Sequence, residues 1–193
     1  IRKVSISRDK ATFYFKKLYS ILDTMKVCDN AMGSGELLLA TARTIFWSRF
    51  AILTLIRVLK SRKNIETKKR VLTLEDIFDE KLKTLQNNLY GVDQEEDAVQ
   101  VARIRLWLWL FEQPRAPKIS KKNIEIIKNV LKSNLKQGNT LLGGVQKTVS
   151  DFDTKDLEYA PESSVDSELM PFHWAKAFPT VFLGKEKNSK TRE

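Results

Sequence analysis

Residues 87–110 read NNLYGVDQEEDAVQVARIRLWLWL, and they join a strand pattern to a helix pattern. The first seven residues hold a short apolar run that ends at an acid, Asp93, which is typical of a buried strand. From Glu95 onward apolar residues recur at helical spacing, with three acids in the first turn, where the helix dipole favours them. The segment therefore predicts a strand followed directly by an amphipathic helix over residues 95–112.

The same order of elements recurs on both sides of this segment. VCDNAMGSGELLL at 27–39 predicts a short buried strand ending at Asp29, a loop of small residues, and a helix from Glu36. NLKQGNTLL at 134–142 predicts a third strand, which ends before a Gly-Asn pair. Further helices are predicted over residues 9–23, 36–59, 73–85 and 121–132, with Thr73 as an N-cap. Strands alternating with helices predict an α/β fold with a parallel sheet.

Composition excludes several classes of protein. The 193 residues are 42% hydrophobic, enough for a core that needs no disulfides or metal to fold. A single cysteine (Cys28) and a single histidine exclude a disulfide framework and a Cys/His zinc site, and they favour a reducing, cytoplasmic setting. We expect no membrane span, because the most apolar stretch, residues 45–59, is short and contains Arg49 and Arg57. We expect no signal peptide, because no apolar run follows the basic first residues, and since the chain lacks an initiator Met we expect it to be part of a longer one.

Charge is distributed unevenly along the chain, whose net charge is +10. Residues 101–150 carry ten basic side chains against two acidic ones, whereas residues 151–169 carry seven acids and one base. The basic part fits either a polyanionic partner or an ordinary solvated surface. This uneven distribution of charge predicts a core over 1–145, an acidic loop or insertion over 146–169, and a separate segment with a polar tail over 170–193.

Each loop motif has both a functional and a purely structural interpretation. Gly33 and Gly35 could admit a ligand to a helix N-terminus, or they could form only a tight turn. Asp93 could accept both hydroxyls of a ribose, or it could cap the helix that follows. Asn139 could pair with an adenine edge, or Gly138 and Asn139 could be an ordinary turn. The third glycine of a dinucleotide fingerprint and the Gly-Lys-Ser/Thr of a phosphate-binding loop are both absent.

Together the motifs resemble those of class I S-adenosylmethionine-dependent DNA methyltransferases. DNAMGSGELLLATA at 29–42 is similar to the family's D-P-A-C-G-S-G-x-F-L, and NLKQGNTLLGG at 134–144 to its N-I-K-x-G-N-S-L-I-G. Residues 87–110 resemble N-N-L-Y-G-V-D-I-D-x-x-A-V-x-I-A-x-L-R-L-W-L, and PFHWAKAFPTVF at 171–182 resembles P-F-H-W-x-x-E-F-P-E-V-F. These longer segments are typical of N6-adenine methyltransferases, including fused type IIG restriction–modification enzymes and phage-defence methylases.

The resemblance implies a fold, a cofactor and partners. The fold would be Rossmann-like, here a partial parallel sheet with helices on both faces. The cofactor would be S-adenosylmethionine and the substrate DNA, with the rest of a restriction–modification polypeptide as a further partner. The residues implied in cofactor binding are Asp29, Asn30, Ala31, Met32, Gly33, Ser34, Gly35, Asp93, Gln94 and Asn139. Among them, Asp93 would hold the ribose hydroxyls, Gln94 would line the adenine, and Asn139 would contact the adenine amino group.

The chain also departs from the family pattern. Asn30 stands where the family has Pro, and Met32 where it has Cys. The catalytic Asn/Asp-Pro-Pro-Tyr/Phe is missing, since no two of the five prolines are adjacent, and we therefore assign no catalytic residue and no metal ligand. No target-recognition domain is recognised either. The alternative interpretation is a non-catalytic nucleic-acid-binding or subunit-interaction module that retains the methyltransferase fold.

Overall fold

Three parallel strands alternate with helices along the chain. The structure is a computed structural model, and it describes residues 7–61, 73–112, 120–141, 172 and 174–182. Within these ranges the helices are Arg8–Thr24 (α1), Glu36–Ser61 (α2), Leu74–Asn87 (α3), Glu96–Phe111 (α4), Lys121–Asn134 (α5), Trp174–Ala177 (α6) and Pro179–Phe182 (α7). The strands are Val27–Asp29 (β1), Leu89–Asp93 (β2) and Leu135–Gln137 (β3).

The sheet has the strand order β1-β2-β3, with both pairs parallel. In its register Asp29 lies beside Gly91 of β2, and Asp93 lies beside Gln137 of β3. Each strand is followed by a loop at the carboxyl edge, so the three loops are brought to the same edge of the sheet. This α/β arrangement is the predicted Rossmann-like fold.

The long helices cover one face of the sheet and bury the main core. Leu89 of β2 and Leu135 of β3 point into that core, where they meet residues of α2, α3, α4 and α5. Local sequence sets the helix starts: Thr73 and Asp76 form the predicted capping box at α3, and Ser120 caps α5. Burial of these apolar faces stabilises the layer at roughly 25 cal/mol per Å² of apolar area.

The opposite face of the sheet carries the two short helices. Tyr90 and Val92 of β2 point to this side, where they pack against Phe172 and Phe178. The Tyr90 and Phe178 rings meet edge to face at 5.2 Å, a favourable arrangement for aromatic pairs. The segment that resembles P-F-H-W-x-x-E-F-P-E-V-F therefore packs as part of the fold, and helices lie on both faces of the sheet as predicted.

Helix α2 is fixed in the interior by a buried charge. Arg49 is fully buried and forms ion pairs with Asp23 of α1 and Glu80 of α3, each at 2.9 Å. It also donates hydrogen bonds to Tyr19 and to Asn88, the residue before β2. Two further helices and the central strand are thereby joined to α2.

By length and composition alone, α2 could cross a membrane, since a stretch of 18 residues within 36–60 has a mean hydropathy of 1.3. The apolar stretch considered in the sequence, residues 45–59, is thus part of a longer helix of 26 residues. Core helices of soluble proteins meet the same criteria, and one side of α2 packs into the main core. The buried ion pairs of Arg49 are also those of a protein interior, so we interpret α2 as a core helix.

Two local predictions need correction. Strand β1 is only partly buried: Cys28 lies beside Tyr90 on the sheet face opposite the long helices, but unlike Tyr90 it is exposed and is not part of the cluster around Phe172 and Phe178. Helix α4 forms as predicted but is not amphipathic, since Val101, Ile104 and Leu108 are also exposed. The alternation in RLWLWL explains this, because residues two apart point to nearly opposite sides of a helix.

Other predictions fall on parts of the chain that are not described. These are the acidic loop or insertion at 146–169 and the polar tail, which lies beyond residue 182.

Candidate functional site

The candidate site lies at the carboxyl edge of the sheet, where the loops after β1, β2 and β3 meet. In open α/β sheets this edge forms the ligand crevice. The first loop, which we call the glycine loop, comprises residues 30–35. It follows Asp29, the last residue of β1, whose Oδ1 accepts a hydrogen bond from Ala31 N at 3.2 Å.

The glycine loop is held to the central strand by backbone hydrogen bonds. Met32 N donates to Val92 O at 3.0 Å, and Gly35 N donates to Met32 O at 2.8 Å. Gly33 and Gly35 have φ angles of +51° and +79°, a region that strongly favours glycine. The loop therefore needs glycine at both positions for conformational reasons alone.

The two glycines face different surroundings. A Cβ on Gly33 would meet no atom within 4 Å, so this position borders open space. A Cβ on Gly35 would lie 2.8 Å from Ala102 Cβ of α4. Gly33 can therefore let a ligand approach the backbone, whereas Gly35 allows the loop to pack closely against α4.

Met32, which replaces the family's cysteine, contributes to the core. Its side chain is 4% exposed and lies in the main core, against Gly91 of β2. A Cβ at Gly91 would overlap Met32 Sδ, so the glycine in the middle of the strand makes room for the larger side chain. Only the backbone of Met32 is therefore part of the candidate site, since its side chain lies in the core.

Asp93, at the end of β2, links the strand to the glycine loop. Its Oδ2 accepts a hydrogen bond from Gly33 N at 2.7 Å, and its Oδ1 accepts one from Glu95 N at 3.0 Å. The N-cap residue of α4 is Glu95, so Asp93 is not simply the helix cap. Each carboxylate oxygen can accept a second hydrogen bond, which leaves acceptor capacity for a ligand.

The loop after β3 is hydrogen-bonded to the loops after β1 and β2. Gly138 N donates to Asp93 O at 2.9 Å, and the Asn139 amide lies 3.5 Å from Gln94 Oε1, at the long limit of a hydrogen bond. Thr140 Oγ1 donates to Asn30 O at 3.1 Å. All ten residues predicted to bind the cofactor thus lie on these three connected loops or at the strand ends that they follow.

Sequence reasoning missed two residues that shape this edge. Thr140 bridges the first and third loops, and its signal was its place directly after the Gly-Asn pair. Arg105 of α4 donates to Ser34 Oγ at 3.0 Å and pairs with Glu36. Arg105 coincides with the arginine of the family pattern quoted for residues 87–110, but that pattern did not indicate its role, because its contact is with a loop 71 residues earlier.

The described side chains show no arrangement suited to metal chemistry. Among the residues that the structure describes, no group of three or more His, Cys, Asp and Glu could hold a metal ion. What the edge offers is carboxylate and amide groups, backbone next to open space, and the N-terminus of α2. These groups can bind a polar small molecule and orient it.

Comparisons with known proteins identify the family of this chain. Residues 87–190 match the Eco57I restriction-modification methylase family. A Methanocaldococcus jannaschii protein described as a type II restriction enzyme and methyltransferase is 30% identical over 132 residues, which cover 66% of this chain and 9% of that protein. No solved structure matches the chain significantly. Because the family match extends over more than half of the 193 residues, the chain belongs to the Eco57I restriction-modification methylase family.

Proposed function

We propose that the chain binds S-adenosylmethionine at the carboxyl edge of its sheet, as the cofactor-binding part of an adenine-specific DNA methyltransferase. The observation that carries the proposal is the connection of the three loops: Gly33 to Asp93, Thr140 to Asn30, and Gly138 to Asp93. These bonds bring the three loops together at one edge of the sheet.

The chemistry of this edge fits the parts of S-adenosylmethionine. The Asp93 carboxylate can accept hydrogen bonds from ribose hydroxyls beyond those it takes from the backbone. The Asn139 amide can both donate to and accept from an adenine edge. Asp29, with one oxygen used by Ala31, can accept from the amino group of the methionine part. Gly33 lets that part approach the loop backbone.

S-adenosylmethionine, when bound, supplies the activated methyl group, and the chain's own residues hold and orient it. The proposed acceptor is the exocyclic amine of an adenine flipped out of duplex DNA. The Asn/Asp-Pro-Pro-Tyr/Phe that would hold this amine has no match in the 193 residues. We therefore assign the cofactor site to this chain and the positioning of adenine to further sequence of a restriction–modification polypeptide.

Calorimetric titration of the purified chain tests the cofactor site. We expect saturable, one-to-one binding of S-adenosylmethionine and of S-adenosylhomocysteine, which shares all parts but the methyl group. Adenosine alone should bind more weakly, because it lacks the methionine part that would approach Gly33. A protein that is folded by circular dichroism and gives no saturable heat would refute the proposal.

DNA is the proposed polymeric partner, supported by a group of cations beside α4 and α5. Arg103, Lys128 and Lys132 line a groove of about 470 Å³, together with Ile104, Trp107 and Leu131. Arg103 already donates a hydrogen bond to Leu135 O at 2.7 Å. Lys128 and Lys132 form no ion pair in the part of the chain that the structure describes. Such unpaired lysines can replace the counterions condensed on a phosphate backbone.

Salt dependence tests this contact with DNA. Binding of a fluorescent mixed-sequence duplex should weaken steeply as salt rises from about 50 to about 200 mM. Lys128→Gln with Lys132→Gln should lower the slope of log K against log salt by about 2. Lys16→Gln with Lys17→Gln, on α1, is the matched control with the same change of charge. A DNA affinity that does not change with salt concentration would count against phosphate contact. Binding of DNA by a chain that does not bind the cofactor would favour the non-catalytic alternative.

A further inference from the structure

Helix α4 contacts the glycine loop at two points on one side. Ala102 packs directly against Gly35, and Arg105, three residues later, donates from Nη1 to Ser34 Oγ at 3.0 Å. The same nitrogen lies 3.5 Å from Ser34 O and pairs with the Glu36 carboxylate at the start of α2. A single guanidinium thus joins the loop, the helix that follows it, and α4.

The position of Ser34 gives this contact its importance. Ser34 stands between Gly33 and Gly35, and glycine has more accessible backbone conformations than any other residue. Hydrogen bonds to Asp93 and Met32 fix the glycines on either side. The side chain of Ser34 is held by Arg105.

We propose that Arg105 is a positioning residue that holds the glycine loop in the shape that receives the cofactor. The inference rests on the proposed binding of S-adenosylmethionine at this edge. Arg105 acts through Ser34 and need not touch the ligand. Its removal leaves a loop segment between two glycines free to take up other conformations, and binding must then also order that segment.

The chain provides a matched control for this contact. Arg43 of α2 and Glu112, the residue that follows α4, form another Arg–Glu ion pair, at 3.2 Å. Both arginines are partly exposed, with 39% of the Arg105 side chain and 49% of the Arg43 side chain accessible. Arg43 makes no contact with the glycine loop among the described residues, so its loss reports on the ion pair alone.

The test compares Arg105→Gln with Arg43→Gln in three measurements: affinity for S-adenosylmethionine, melting temperature, and amide hydrogen exchange. We expect Arg105→Gln to weaken binding about tenfold, as for loss of a hydrogen bond from a charged group, and to speed exchange at residues 33–36. Arg43→Gln should lower the melting temperature to a similar extent while leaving affinity and loop exchange unchanged. Arg105→Lys should recover part of the affinity, because it keeps a cationic donor.

A double-mutant comparison shows whether Arg105 acts through Ser34. Ser34→Ala should weaken binding, and combining it with Arg105→Gln should weaken binding little further than Arg105→Gln does alone. If the affinity losses of the two single variants were fully additive, Arg105 would not act through Ser34. The inference would also be overturned if Arg105→Gln bound S-adenosylmethionine as tightly as the wild type.

Hydrogen exchange needs no ligand, so it separates failure of the inference from failure of the proposed function. If Arg105→Gln speeds exchange in the loop but the wild type binds no S-adenosylmethionine, the proposed cofactor site is refuted, and with it the role of Arg105 in binding. Unchanged exchange with intact wild-type binding would refute the positioning role alone.

Discussion

At the residue scale, Asp93 accepts structural hydrogen bonds and is proposed to bind the cofactor, and a substitution can separate these two roles. Asp93→Ala should weaken binding of S-adenosylmethionine by about 1–3 kcal/mol through loss of charge-assisted hydrogen bonds to two hydroxyls. It should also lower stability by about 1 kcal/mol, because Gly33 N and Glu95 N lose their acceptor. Calorimetry and denaturant unfolding on the same variant measure both effects.

The control is Glu95→Ala, which removes a neighbouring carboxylate from an N-cap residue that makes no side-chain capping bond. We expect that variant to bind and unfold as the wild type does. If Asp93→Ala lost stability but kept full affinity, Asp93 would be a structural residue only.

Substitutions at the two loop glycines separate the stability cost of a left-handed φ from the cost of steric overlap with α4. Gly33→Ala should cost about 1–2 kcal/mol of stability for its left-handed φ. Gly35→Ala should cost more, because its Cβ would also press on Ala102 at 2.8 Å. Since Gly33 borders open space, Gly33→Ala should reduce cofactor affinity beyond its effect on stability. Urea unfolding and titration of both variants give the comparison, and equal stability losses would contradict the packing argument.

At the element scale, the capping box of α3 predicts a dependence on pH. The pKa of Asp76 is lowered, chiefly by the backbone N–H of Thr73 and then by the Thr73 hydroxyl and Arg57. A lowered pKa means that this carboxylate stabilises the fold above its unfolded value of about 3.8, and that the contribution is lost as pH falls through the folded value. Asp76→Asn should therefore be less stable at neutral pH and less sensitive to acid.

Urea unfolding between about pH 2 and 7 measures this difference, which we expect to be about 1 kcal/mol at neutral pH. Glu75→Gln is the control, since it removes an acid from the same turn without touching the capping box. A difference between Asp76→Asn and wild type that did not shrink in acid would contradict the assignment.

The elements of the fold were largely predictable because their signals are local. Periodicity, the Thr73 cap and the terminal acids of β1 and β2 predicted helices α1 to α5 and the three strands close to their observed bounds, whereas the short helices α6 and α7 were not predicted. The exposure of Cys28 was not predictable, since it depends on which sheet face the long helices cover. Arg105 was missed for the same reason: its role arises from packing of α4 against a loop that is distant in sequence.

At the scale of the whole molecule, the buried charges explain why α1 belongs to the fold. Helix α1 has no buried residues of its own, yet Tyr19 and Asp23 both contact the buried Arg49. Arg49 in turn contacts Glu80 and Asn88. Helix α1 also reaches both residues directly, since the Tyr19 hydroxyl donates to Glu80 and the Asn88 amide donates to Leu22 O. The helix layer behind the candidate site is therefore held together by polar as well as apolar contacts.

The last prediction concerns the activity of the chain as a whole. We expect the 193-residue chain to bind S-adenosylmethionine and yet not to methylate adenine. Holding two reactants in near-attack geometry can lower a barrier by about 7–11 kcal/mol, and the residues expected to hold the adenine amine are not in this sequence. The assay incubates the chain with radiolabelled S-adenosylmethionine and mixed-sequence DNA, with a no-protein control. A version extended to include an Asn/Asp-Pro-Pro-Tyr/Phe segment should incorporate label, and Asp93→Ala in that version should reduce the incorporation. Label transferred to DNA by the 193 residues alone, above the control, would show that adenine is positioned by other residues of this chain.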